Sequence, residues 1–198
     1  MKKSIRYKTI ALATTLLALV PTMWAAPLPQ TGGMGKGGGM EHGQASILGD
    51  LTKDWQRQEK TMIAIADAMP EDKFSYKTTP PQRNYGEQVV HVAVVNVQLL
   101  KLLGGKAAAP SVSMDDAKTK ASALKALTDS YDYGTALLKE QTEESIAQTI
   151  SAPAFLGPST RARIVWFLMS HSMDIYGQMV VYLRLNGIVP PASRKDMP

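Results

Sequence analysis

Apolar and polar positions along the chain fall into four long segments with helical spacing. The clearest covers 159–191, STRARIVWFLMSHSMDIYGQMVVYLRLNGIVPP. Ile164, Leu168, His171, Ile175, Met179 and Tyr182 recur at three- and four-residue steps, which makes one inward stripe of an amphipathic helix. Ser159 or Thr160 can cap its start by accepting from backbone N–H groups that lack partners inside the helix. Gly187 sits where a left-handed cap belongs, and Pro190-Pro191 forbids continuation. Ala45 to Met69 predicts a second helix, with Leu48, Leu51, Trp55, Met62, Ile65 and Met69 inward and Pro70 helping to end it. Tyr85 to Leu103 predicts a third. Its run VVHVAVVNVQLLKLL is apolar on nearly every side, which suits a central helix, and Gly104-Gly105 stops it. Another begins near Ser113, a good N-cap followed by acids, with Ala117, Ala121, Leu124, Leu127, Tyr131 and Leu138 inward. Residues 140–157 read as a short helical turn and a loop. Trp55 and Trp166 read as core or interface residues. Four amphipathic helices without strand signals predict an all-α four-helix bundle.

The ends of the chain change this picture in one respect. MKKSIRYKTI carries four cations and no acid, and an apolar run follows to Ala26. Residues 1–26 therefore read as a signal peptide, and the protein as exported, periplasmic or extracellular. The competing reading is an uncleaved anchor. Pro21 interrupts the run, which is shorter than the ~20 residues a spanning helix needs, so no stable membrane span is expected after cleavage. Residues 27–44, PLPQTGGMGKGGGMEHGQ, form a Pro/Gly-rich flexible linker. Met34, Met40 and His42 within it read either as soft copper ligands or as incidental residues of a low-complexity segment. Residues 45–198 are then the folded domain, long enough for one sizeable core.

Composition removes several function classes. Cysteine is absent, which excludes disulfides, catalytic thiols, thiolate metal sites and a lipid-modified cysteine at the cleavage point. Four of the 22 Lys and Arg residues (Lys2, Lys3, Arg6 and Lys8) lie in the leader, leaving 18 cations against 17 anions and a net charge of +1. The basic balance is thus a feature of the leader, and no nucleic-acid partner is expected.

Candidate chemistry rests on few residues. His91 lies inside an apolar helix and His171 on an inward stripe. Each reads either as a hydrogen-bonded core histidine or as a ligand for zinc, nickel, iron or manganese. Asp174 and Ile175 flank His171 one turn further on, and Glu87 lies one turn before His91. Asp174 or Glu87 could complete a two-histidine, one-carboxylate set, or could hydrogen-bond a ligand from behind or stay as surface charges. Gln178, two turns beyond His171, could hydrogen-bond a ligand or water. Tyr85-Gly86 and Tyr176-Gly177 are expected to allow close helix contact, with the tyrosines bonding across the pocket.

Three stretches carry a family resemblance. DWQRQEKTMIAIADAMPEDKFSYKTTP at 54–80, NYGEQVVHV at 84–92 and HSMDIYGQMVVYLRLNGIVPP at 171–191 resemble the first, second and last helices of the DinB-like family of four-helix bundles. The resemblance covers roughly 46–193. It implies a divalent metal held by three histidines, of which His91 and His171 hold the first two positions and Ile175 occupies the third. It also implies homodimers, and either a metal-dependent enzyme acting on small thiols or, given Ile175, a non-catalytic bundle that has lost the ion and binds a small-molecule ligand or a protein partner. The sequence leaves open whether the protein is an enzyme.

Overall fold

The computed structural model describes residues 46–195, so the leader, the linker and its Met34, Met40 and His42 lie outside the described residues. Among the described residues five α-helices run in the order α1 (Ile47–Asp67), α2 (Tyr85–Leu100), α3 (Lys120–Lys139), α4 (Glu143–Ala147) and α5 (Arg161–Leu185). The four long ones form the expected all-α bundle. α2 packs against α3 and α5, and α1 packs against the same two, so α1 and α2 face each other across the diagonal. Trp55, Met62 and Ile65 from α1 meet Val89 and Leu100 from α2, Leu127 from α3 and Leu168 from α5 in one core.

Local chemistry explains most boundaries. Ser46 accepts from the Gly49 N–H and opens α1. That helix stops at Asp67 because Met69 precedes a proline and is disfavoured in the helical region. Asn84 and Glu87 form a reciprocal capping box at the start of α2. The expected last turn of α2 tightens into a 3₁₀ turn, Lys101–Leu103, closed by Gly104 at φ 68°. Gly187, at φ 72°, ends α5 with bonds from Gly187 N–H to Arg184 O and from Ile188 N–H to Leu183 O. That is the double bond of a left-handed helix cap.

Three expectations need correction. Ser113 caps a separate 3₁₀ turn, Met114–Lys118, and extended Thr119 then caps α3 afresh. The break resets the helical register. Ala121 is therefore exposed and Ala117 only half-buried, while Ala123, Ala126, Ser130 and Gly134 face inward. Between α4 and α5, Thr149–Ile150 (β1) pairs antiparallel with Ser159–Thr160 (β2), a ladder too short to leave a periodic signal. Gly177 meets nothing within 4 Å at its missing Cβ among the described residues, so it serves no close helix contact there. Gly86 does: a Cβ there would stand 2.8 Å from the Phe74 ring and 3.0 Å from the Ala117 carbonyl. Trp55 is fully buried, whereas Trp166 is 61% exposed.

Candidate functional site

α2 and α5 lie side by side and bring His91 and His171 together. Their Nε2 atoms are 3.2 Å apart, and the rings meet edge to face with centroids 5.0 Å apart. At that separation one imidazole donates an N–H to the other. Both rings are held neutral at pH 7. Burial, then the Arg83 cation, then His171 push His91 down to about 4. Burial also lowers His171, partly offset by the Asp174 carboxylate, with Arg83 lowering it further. A neutral pair accepts and donates hydrogen bonds and repels no cation.

The spacing alone would suit two ligands of one ion, since two nitrogens 2.0–2.1 Å from a metal stand 3.2 Å apart at an angle of about 100°. The surrounding groups do not fit such a centre. Ile175 is 3% exposed and packs into the core one turn beyond His171. Asp174 is exposed, and its carboxylate accepts from the Gln178 amide at 3.1 Å. Glu87 accepts from the Asn84 N–H at 2.7 Å and lies 3.9 Å from Lys77. Among the described residues, no three His, Asp or Glu side chains converge to hold an ion. Nor does the buried Nδ1 of His171 have the acceptor that usually orients a ligating imidazole.

The other expected pocket residues are dispersed. Tyr85 donates to the Ile65 carbonyl of α1 and packs against Phe74 and Tyr182. Tyr176 lines a shallow depression with Lys60, Thr61, Ala64 and Pro191. Both tyrosines thus turn to other parts of the bundle instead of bonding across the histidine pair. Gln178 is a junction. Its Oε1 accepts from Gln82 at 3.0 Å and from fully buried Gln88 at 2.8 Å.

On the other side of His171 a cavity of about 470 Å³ opens. Val95 and Leu99 of α2 and Leu102 of the 3₁₀ turn after it form one wall, and Phe167 of α5 and Pro153 and Phe155 of the β1–β2 loop form the rest. Gln98 and His171 are the polar residues of its wall, and no charged side chain lines it among the described residues. Periodicity missed this site because Phe155 belongs to an irregular loop. Phe167 carried a usable signal, lying four residues before His171 and so on the same helix face.

The DinB family matches residues 41–195. The fold is similar to a DinB-like protein from Bacillus subtilis at 14% identity and a TM-score of 0.55, covering 75% of this chain and 96% of that one. It is also similar to a DinB-like protein from Bacillus cereus at 19% identity and a TM-score of 0.52, covering 71% and 93%. No curated protein matches the chain.

Proposed function

The chain belongs to the DinB family, and on that premise we propose that it is a metal-independent member that binds a small molecule in the apolar cavity beside His91 and His171. One observation carries this reading: the position one turn beyond His171 holds a buried isoleucine, while both nearby carboxylates are engaged elsewhere. A buried Ile stabilises the empty protein by ~2 kcal/mol, which a histidine awaiting an ion would not do. The imidazole pair, closed on itself through the two Nε2 atoms, then flanks the binding site through His171 and activates no thiol. The cavity volume lies in the usual range for small-molecule sites, about 300–1,000 Å³.

The test restores the missing group. Ile175→His places a third imidazole beside the pair and should raise zinc affinity by about a hundredfold over the wild type, read by calorimetry. A correctly folded Ile175→His chain that binds zinc no better than wild type would contradict the claim that Ile175 separates this site from a metal centre.

A further inference from the structure

We infer that the cavity takes an uncharged, planar aromatic molecule, inserted beside Phe167 and His171 and covered by Phe155. The inference rests on the metal-independent reading above and names the class of ligand.

Three rings define the site. Phe167 and His171 are near-parallel, inclined by 18°, with centroids 6.4 Å apart. Phe167 is half-buried and lines the cavity, so its ring is available to a ligand there. Phe155 stands at the mouth, tilted by 52° to Phe167 with centroids 5.8 Å apart, and is 70% exposed. An aromatic ring left that open beside an apolar wall keeps water in contact with surface that a ligand would cover.

Charge decides the rest. Among the described residues no Asp, Glu, Lys or Arg lines the wall, so a carboxylate or an ammonium would enter without a counter-charge. Arg83 depresses both imidazoles but is not among the residues lining the cavity. A hydroxyl suits the one polar side. It can donate to or accept from the Gln98 amide. An aliphatic chain of equal volume would fill the space but gain nothing from the ring faces.

The experiment is a set of calorimetric titrations of the full chain with 2-naphthol, 2-naphthoate and decan-1-ol, repeated on Phe167→Leu. That substitution keeps an apolar side chain and removes the ring, and a thermal melt checks its fold. The expected result is saturable binding of 2-naphthol at one site, with 2-naphthoate weaker by about tenfold. Phe167→Leu should weaken 2-naphthol by about tenfold and leave decan-1-ol nearly unchanged. Equal affinity for 2-naphthol and decan-1-ol, unaltered in Phe167→Leu, would overturn the aromatic assignment and leave the small-molecule reading standing. Binding of 2-naphthoate as tight as 2-naphthol would overturn the requirement for an uncharged ligand. Binding of none of the three would overturn both the inference and the reading beneath it.

Discussion

A buried isoleucine and a ligating histidine solve different problems at the position one turn beyond His171. The histidine needs an ion to offset its burial, whereas Ile175 contributes to the core whether or not anything is bound. The same logic explains Gln178. Its amide collects Gln82 and Gln88 on one oxygen and gives its own hydrogen to Asp174. Gln88 is fully buried, so its N–H depends on that acceptor. Gln178→Ala should therefore lower the unfolding free energy by about 1–3 kcal/mol, measured by urea denaturation, because it leaves a buried amide unpaired. A change within error would mean that the glutamine cluster is held by water. The pairing of His91 with His171 was legible from spacing and family resemblance, since both positions face the bundle interior. The engagement of Glu87 and Asp174 was harder to read. Helical spacing puts a carboxylate near a pocket but does not say which donor claims it, and the cap at Asn84 and the amide of Gln178 claim these two.

At the scale of the elements, caps and breaks decide the bundle's detail. The helix of α2 was plain in the sequence because it is apolar throughout, whereas the capping box that starts it, Asn84 with Glu87, is added by the structure. Asn84→Ala should cost about 0.5–2 kcal/mol of stability in thermal or urea unfolding, since it removes the acceptor for the Glu87 N–H and frees the Glu87 carboxylate. An unchanged stability would show that α2 is held by packing alone. The α3 region was misread for a physical reason. Ser113 and Thr119 are both good N-caps, and a periodic stripe cannot reveal that the chain restarts its helix at the second. The β1–β2 ladder and its loop were invisible for a related reason, because two-residue strands have no period. That loop brings Pro153 and Phe155 to the cavity, which is why this wall of the candidate site lay outside what patterning could show.

For the whole molecule, the neutral imidazole pair links fold stability to pH. In the unfolded chain His91 titrates near 6.5, and in the fold at about 4. Between these values the unfolded state binds more protons, so stability rises with pH. The pair's full contribution is present above 6.5 and is lost as pH falls from there towards 4; His171 shifts in the same direction. Wild type should therefore lose more stability than His91→Gln between pH 7.5 and pH 4.5, read as urea midpoints, because the variant removes one of the two groups. Parallel loss in both would show that carboxylates elsewhere dominate the acid response.

The bundle of four long helices, its family and the position of the histidines all agree with the sequence; the identity of what the site holds is the point on which the account stands or falls. The most direct measurement is the metal content of the wild-type chain after exposure to zinc, nickel, manganese and iron followed by dialysis. Well below one retained ion per chain is expected for every metal. One ion per chain, kept through dialysis and lost in both His91→Ala and His171→Ala, would contradict it.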